Sequence, residues 1–245
     1  MPVVPGDRSC GISENMSNRR CSCGTVFCVI YNGESCALKV GQAIEKDTFQ
    51  EEVKVMEQLA GAGGAPLVLA TCPEKPAFVM TLCGTLSLDR FLRKKKKAST
   101  CVKVARLVAK ALREVHAKGV VHCDLKSNNV LVDVDANGKP TGVHIIDFGL
   151  ARPAGTLLKI MVPKGSAGEW YCPCFYMGKL VSLKCDMQGM ADILSDIAKC
   201  NSAVADDLQE LITNGRHANH KQRLSAKETL AKLKAISALK GRKVT

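Results

Sequence analysis

The most constraining feature of the chain is a pair of short apolar runs, each with polar residues at one end. The runs, residues 130–132 and 143–146, have strand composition, and residues 135–140 between them carry Asn-Gly and Pro turn signals. The pattern predicts a β-hairpin. Pairing of its strands brings four polar residues to one end: Asp124, Lys126, Asn129 and Asp147. Two carboxylates, an amide and an ammonium group there suit a phosphate and a divalent metal such as Mg²⁺.

This stretch resembles the protein kinase family. Residues 122–129 read His-Cys-Asp-Leu-Lys-Ser-Asn-Asn where the family has H-R-D-L-x-x-x-N, and residues 147–149 read Asp-Phe-Gly as in the family. The resemblance covers residues 19–239. It implies an α+β, two-lobed fold with a small β-rich N-lobe carrying one helix (about 19–82) and a larger, mainly helical C-lobe (about 84–239). Residues 1–18 are expected to form a flexible leader and residues 240–245 a tail.

The resemblance implies an ATP-dependent kinase that transfers the γ-phosphoryl group of ATP to Ser/Thr hydroxyls of protein substrates. In that reaction Asp124 orients the hydroxyl and accepts its proton, and Lys126 stabilises charge on the transferred group. Asn129 and Asp147 are the implied metal ligands, so the expected cofactors are ATP and Mg²⁺. The lysine at 126 and the Trp170 segment are similar to the tyrosine-kinase-like group of Ser/Thr kinases.

The N-terminal half carries an implied nucleotide site. Two β-rich runs flank Asn-Gly at residues 32–33, which predicts a hairpin. Its second strand contains Lys39, whose implied role is to hold the α- and β-phosphates. A helix over residues 47–60 places Glu52 on its inward stripe, and a buried carboxylate needs a partner, for which we expect Lys39. The other implied nucleotide contacts are Gly24, Val26, Ala37, Met80, Leu82, Cys83 and Leu131.

The glycine-rich loop of the family is poorly matched. Gly24 fits its last glycine, but the two earlier positions hold Arg19 and Cys21. Side chains there obstruct the close approach of backbone to phosphate that glycine allows. Arg19 or Arg20 could offer charge to the phosphates instead, although a solvent-facing arginine pair is the simpler interpretation.

Two further departures concern regulation. Cys123 stands where the family has the arginine that receives an activation-segment phosphate, so we expect activity independent of phosphate at Thr156 or Ser166. Cys174 replaces a glutamate that pairs with a late arginine in the family. The matching arginine is Arg223, which we expect to be unpaired or exposed.

Two alternatives stand beside the active kinase. A pseudokinase, which binds nucleotide or partners without phosphoryl transfer, is favoured by the poor glycine loop and by Cys174. The intact set of charged and amide residues at the implied site opposes it. A small-molecule phosphotransferase shares an Asp…Asn…Asp arrangement, but Asp-Phe-Gly and Lys126 argue against that class.

Cysteine usage bears on the compartment. The chain has 245 residues and 13 cysteines, an odd number, and its first residues do not have the pattern of a secretory signal. We therefore expect reduced thiols in a cytoplasmic or nuclear protein that is not secreted. Two C-x-C pairs occur, at residues 21–23 and 172–174, and C-x-x-C is absent. We interpret these cysteines as small buried thiols rather than zinc ligands.

The formal net charge of +12 favours anionic partners. Part of it lies in one basic run at residues 93–97, which is either a nuclear-localisation or anion-binding patch or a solvated helix end. Few aromatic residues lie nearby, so no specific nucleic-acid binding is expected. No apolar run approaches the roughly 20 residues that span a bilayer, so no membrane contact is expected either. The expected partners are protein substrates, bound by a monomer.

Overall fold

The computed structural model describes residues 19–21, 24–42, 46–84, 86–159 and 168–242. The expected leader at 1–18 and the hydroxyl of Ser166 lie outside these ranges, as do the last three residues of the expected tail.

The N-terminal part is a five-stranded antiparallel sheet with strand order β1-β2-β3-β5-β4. Its strands are β1 (Arg19–Cys21), β2 (Gly24–Tyr31), β3 (Glu34–Val40), β4 (Val68–Cys72) and β5 (Ala77–Thr81). The predicted turn joins β2 and β3, and both Asn32 and Gly33 have positive φ, as a two-residue hairpin turn requires. One helix, α1 (Lys46–Leu59), follows β3, close to the predicted bounds.

The C-terminal part is mainly helical. Its helices are α2 (Leu88–Leu92), α3 (Ala98–Ala117), α4 (Pro173–Tyr176), α5 (Met187–Cys200), α6 (Ala205–Gly215) and α7 (Ala226–Arg242). Helix α7 therefore continues past the predicted domain boundary at residue 239. Helix α3 lies in the centre and packs against α5 and α7. Its apolar residues at three- and four-residue steps, among them Val108, Leu112 and Val115, have no exposed surface.

The C-terminal part also contains two short antiparallel strand pairs. Strands β6 (Val120–Val121) and β9 (Arg152–Pro153) pair with each other, as do β7 (Val130–Val134) and β8 (Pro140–Ile145). In the second pair Val130 lies opposite Ile145, so the predicted hairpin is confirmed. The fold is α+β with a small β-rich lobe and a larger helical lobe, as expected from the sequence. None of the described helices has both the length and the apolar character needed to cross a bilayer.

Candidate active site

A buried lysine joins three elements of the small lobe and the hairpin. Lys39 of β3 donates to both carboxylate oxygens of Glu52 on α1, at 2.7 and 2.8 Å, and to Asp147 Oδ1 at 3.0 Å. The predicted pairing of Lys39 with Glu52 is therefore confirmed. Glu52 is buried because α1 turns residues 49, 52, 56 and 59 to the interior. Burial alone lowers the pKa of Lys39, but the charges of Glu52 and Asp147 outweigh it and raise that pKa above its usual range.

A cavity of about 270 Å³ lies beside this ion cluster. Register explains its roof: Val26 lies opposite Lys39, Cys28 opposite Ala37, and Ala37 opposite Met80 on the neighbouring strand. Residues that are directly opposite across strands point to the same face, so this face of β2, β3 and β5 covers the cavity. The lining includes eight of the nine nucleotide contacts implied by the resemblance: Val26, Ala37, Lys39, Glu52, Met80, Leu82, Cys83 and Leu131.

Gly24 is the exception, because it lies outside the cavity lining. Its φ is 128°, and a Cβ at this position would stand 2.5 Å from the carbonyl oxygen of Val40. The glycine therefore lets the start of β2 pass close to the end of β3. Its contact with nucleotide stays a prediction.

The loop before β7 gathers polar groups around Asp124. Lys126 Nζ donates to Asp124 Oδ2 at 2.8 Å, and Asn129 Nδ2 donates to the same oxygen at 3.0 Å and to the Asp124 carbonyl at 2.9 Å. Asp124 and Asn129 are buried, whereas the Lys126 side chain is 24% exposed. The structure thus brings together three of the four polar residues of the predicted hairpin end, and Asp147 lies with Lys39 beside the cavity.

Asp186 braces this loop from behind. Its two carboxylate oxygens accept the backbone N–H groups of His122 and Cys123 at 2.8 and 2.9 Å, and His116 Nε2 lies 2.9 Å from Oδ2. Helix α5 can approach the loop because residue 189 is glycine. A Cβ there would collide with the carbonyl oxygen of Leu125.

Two residues of the site have left-handed backbone conformations. Cys123 and Asp147 both have φ of 65°, and only two other non-glycine residues of the described chain, Asn32 and Ala60, have positive φ. Such conformations cost on the order of 1–3 kcal/mol and persist where surrounding contacts hold them. At Cys123 the carboxylate of Asp186 supplies such a contact. Burial raises the pKa of the Cys123 thiol well above its usual range, so this side chain is neutral.

Sequence reasoning missed two aromatic contacts at Asp124. The indole N–H of Trp170 donates to Asp124 Oδ1 at 2.8 Å, and the same ring lies 4.9 Å from Lys126 Nζ. Burial raises the pKa of the Tyr171 hydroxyl, and the charge of Asp124 and a hydrogen bond to it add to the shift. In the sequence Trp170 marks only the resemblance, because its contact with Asp124 depends on tertiary packing.

Two missed cavity residues are Cys28 and Arg90. Strand alternation could have found Cys28, because it lies two residues after Val26 and so faces the same side of β2. Arg90 comes from α2, and no local pattern connects it to the cavity.

The expectation that Arg223 is unpaired or exposed is confirmed in its first part and wrong in its second. Among the described residues no carboxylate lies within ion-pair distance of Arg223. Arg223 is 1% exposed and is fully engaged in hydrogen bonds. Its acceptors are neutral oxygens and a sulfur: His217 O, Lys184 O, Cys185 O, Gln188 Oε1 and Cys172 Sγ. The prediction of exposure failed because loop carbonyl groups converge on this arginine and hold it in the interior.

Comparison with known proteins agrees with this geometry. A family model described as the protein kinase domain matches residues 22–191, which is most of the chain. The chain therefore belongs to the protein kinase family.

Individual relatives are similar at modest identity over different shares of the chain. The chain is 27% identical over 151 residues to a serine/threonine-protein kinase-like protein of Arabidopsis thaliana, over 61% of the chain. It is 28% identical over 186 residues, or 71% of the chain, to a probable serine/threonine-protein kinase of Dictyostelium discoideum. It is 31% identical over 121 residues, or 49% of the chain, to the serine/threonine-protein kinase Pkn1 of Myxococcus xanthus. The chain spans 40, 19 and 17% of the lengths of these three relatives.

Proposed function

We propose that this chain is an active protein kinase that transfers the γ-phosphoryl group of ATP to serine or threonine hydroxyls of proteins. The observation that carries the proposal is the double engagement of Lys39. One ammonium group binds Glu52 and Asp147 together beside a cavity, so the cation and a prospective metal ligand are held in place before nucleotide arrives. Preorganised charge is the main requirement of phosphoryl transfer, which needs little covalent chemistry from the protein.

The cavity fits a nucleotide in its chemistry. Its roof and floor are apolar, from Val26, Ala37, Met80 and Leu131, and its backbone at Leu82 and Cys83 belongs to the link between the lobes. We assign the adenine ring to the space between these apolar groups, with hydrogen bonds to the linking backbone. The phosphates would extend to Lys39 at the other end.

The residues beside Lys39 suit Mg²⁺. Asp147 offers carboxylate oxygens, and Asn129 uses its amide nitrogen on Asp124, which leaves the amide oxygen for a metal. Oxygen ligands of this kind are those that Mg²⁺ takes. When bound, the metal would neutralise phosphate charge and orient the reacting group.

Asp124 is the residue that we assign to the protein substrate. Its carboxylate would accept the proton of the substrate hydroxyl as that oxygen bonds to the γ-phosphorus of ATP. The bond from the γ-phosphorus to the bridging oxygen breaks, and ADP leaves. Lys126 would stabilise negative charge on the transferred group. Because Trp170 and Tyr171 already contact Asp124, a substrate must approach between them or displace them.

One assay separates the active kinase from the pseudokinase. The purified chain is incubated with Mg²⁺ and ATP labelled at the γ-phosphate, with one basic and one acidic protein substrate, and phosphorylated residues are identified after hydrolysis. We expect label on serine and threonine that is absent with Asp147→Asn. Asp135→Asn, in the exposed turn at the far end of the hairpin, is the matched control and should label normally.

A parallel measurement of nucleotide binding identifies a pseudokinase. Nucleotide-dependent thermal stabilisation without labelled protein would contradict the proposal and establish a pseudokinase. Labelling of small alcohols, offered in a separate reaction, without labelling of proteins would point to a small-molecule phosphotransferase instead.

A further inference from the structure

A cluster of sulfur and nitrogen ligands lies in the C-lobe. It consists of Cys172, Cys174, Cys185 and His220, whose ligand atoms all lie within 4.8 Å of one another. The three cysteines are buried. We call these four residues the thiol–imidazole cluster.

The cluster draws on three separate segments of chain. Cys172 and Cys174 flank Pro173 at the start of α4, Cys185 ends a short 3₁₀ helix before α5, and His220 begins another 3₁₀ helix between α6 and α7. The fold thus brings four side chains of metal-binding type together at one point. Both cysteines of the 172–174 pair are buried, as expected from the sequence, and the fold adds a third cysteine and a histidine beside them.

The sulfur atoms have the spacing of a site that can close on a metal. Cys174 Sγ lies 2.9 Å from Cys172 Sγ and 3.2 Å from Cys185 Sγ. A tetrahedral zinc site with Zn–S bonds of about 2.3 Å places its sulfurs about 3.8 Å apart. Outward movement of well under 1 Å for each sulfur would reach that spacing. A disulfide, with a bond of about 2.05 Å, would use two of the three sulfurs and leave the third and the imidazole unused.

Charge supplies an independent argument. Arg223 is 1% exposed and always carries its charge, and among the described residues no carboxylate lies within ion-pair distance of it. A buried charge without a counter-charge is expensive. Arg223 Nη1 donates to Cys172 Sγ at 3.5 Å, so the cluster lies directly against the guanidinium group. Three thiolates, a neutral imidazole and Zn²⁺ together carry one negative charge, which would balance the arginine.

Neighbouring donors are placed as supporting groups for thiolate ligands. The backbone N–H of Ser182 donates to Cys185 Sγ at 3.3 Å, and the Ser182 hydroxyl lies 3.7 Å from the same sulfur. With the arginine at Cys172, two of the three sulfurs receive hydrogen bonds from outside the cluster. Such outer contacts orient metal ligands and stabilise their charged form.

We propose that Cys172, Cys174, Cys185 and His220 bind one structural Zn²⁺ ion and that the resulting anionic centre is the counter-charge of Arg223. Four protein ligands close the coordination sphere, so the centre has no open position for catalysis. It joins the end of the segment that carries Trp170 to the loops before α5 and before α7. The ion would hold that segment against the C-lobe, and chelation would loosen it.

The test is metal analysis of the full chain purified under reducing conditions without chelators. We expect about one zinc per chain by plasma mass spectrometry. Cys172→Ser, Cys185→Ser and His220→Ala should each lower the zinc content. The matched controls are Cys36→Ser, a buried cysteine in β3, and His217→Ala, an exposed histidine near the cluster, and both should keep the metal.

A second measurement covers variants that fail to fold. Wild-type chain stripped of metal is titrated with Co²⁺, and a tetrahedral centre with thiolate ligands should give intense charge-transfer and visible absorption bands that Zn²⁺ abolishes. Chelation should also speed proteolysis near residues 168–176. Reduced wild-type chain that takes up neither Zn²⁺ nor Co²⁺ would overturn the proposal, as would a mass showing a native disulfide within the cluster. None of these readouts depends on phosphoryl transfer, so the proposal stands or falls separately from kinase activity.

Discussion

Two buried cations, Lys39 in the small lobe and Arg223 in the large lobe, are both 1% exposed but have different surroundings. Lys39 binds two carboxylates at 2.7–3.0 Å. Arg223 binds carbonyl groups, an amide and a thiol sulfur. A carboxylate pair gives a cation a rigid counter-charge that needs no further component. Neutral acceptors satisfy the hydrogen bonds of Arg223 but do not balance its charge. The stability of the region around Arg223 therefore depends on a negative centre such as the proposed zinc site.

The largest expected effect is a loss of phosphorylation rate in the candidate active site, which contains Lys39 and Asp124. Asp124→Asn keeps the size of the side chain but removes the proton acceptor, so we expect the rate of protein phosphorylation to fall roughly 10²–10⁴-fold. Initial rates at saturating ATP measure this, with Asp135→Asn as the control. The thermal unfolding midpoint should change little. A loss below tenfold would remove Asp124 from the role that we assign to it.

The next effect compares the two cations directly. Lys39→Met leaves Glu52 buried without its partner and should lower the free energy of unfolding by about 3–5 kcal/mol. In metal-free chain Arg223→Met leaves only neutral acceptors unsatisfied and should cost about 1–3 kcal/mol. Urea unfolding of both variants measures the difference.

Zinc sharpens this comparison. In zinc-loaded chain Arg223→Met should lower the free energy of unfolding by more than in metal-free chain, because the anionic centre then loses its counter-charge. The stability losses of Arg223→Met and Lys39→Met should therefore become more alike. If zinc leaves the cost of Arg223→Met unchanged, the guanidinium group and the thiol–imidazole cluster are not coupled by charge.

A smaller effect is the dependence of stability on pH that we expect from His144, near the link between the lobes. A hydrogen bond with Cys83, opposed by burial and supported by the Gly64 carbonyl and Asp133, raises the pKa of His144 from 6.5 to about 9. A raised pKa stabilises the fold fully below the unfolded value, about 6.5, and this contribution is lost as pH rises through about 9. We expect the unfolding midpoint of the wild type to fall over that window by on the order of 1–3 °C more than that of His144→Gln. Parallel slopes for the two proteins would contradict the shift.

The smallest effect on rate is expected from Thr156, which lies in the segment after Asp-Phe-Gly. Thr156→Ala should leave the phosphorylation rate nearly unchanged, because Cys123, buried and neutral, offers no cation to a phosphate on that segment. The rate is compared before and after phosphatase treatment, with the Ser166→Ala variant alongside. A hundredfold loss, about 2.7 kcal/mol in activation free energy, would show that a phosphate is required after all.

The candidate active site around Lys39 and Asp124 was predicted from the sequence far better than the surroundings of Arg223. Glu52 was found because helical periodicity places it on the buried stripe, and a buried carboxylate limits its partners to a nearby cation. The hairpin and Asp124, Asn129 and Asp147 follow from local order along 28 residues, 122–149. Local rules are enough when partners come from short, regular elements.

The thiol–imidazole cluster could not be found in this way. Its ligands extend from Cys172 to His220, and their meeting depends on how two loops pack beside α4. The burial of Arg223 was missed for a related reason, since backbone carbonyl groups are present at every position and the sequence does not show where they converge. The contact of Trp170 with Asp124 likewise depends on tertiary packing.

The cavity thiols have a consequence for ligand design. Cys28 on β2 and Cys83 between the lobes both line the cavity and are both partly accessible. A thiolate can attack an electrophile that a bound heterocycle holds beside it. A ligand that enters the cavity and carries an electrophile could therefore be anchored covalently at the strand or at the interlobe link, and replacing each cysteine by serine would show which bond forms. The same two positions offer attachment points for a fluorophore that reports nucleotide binding.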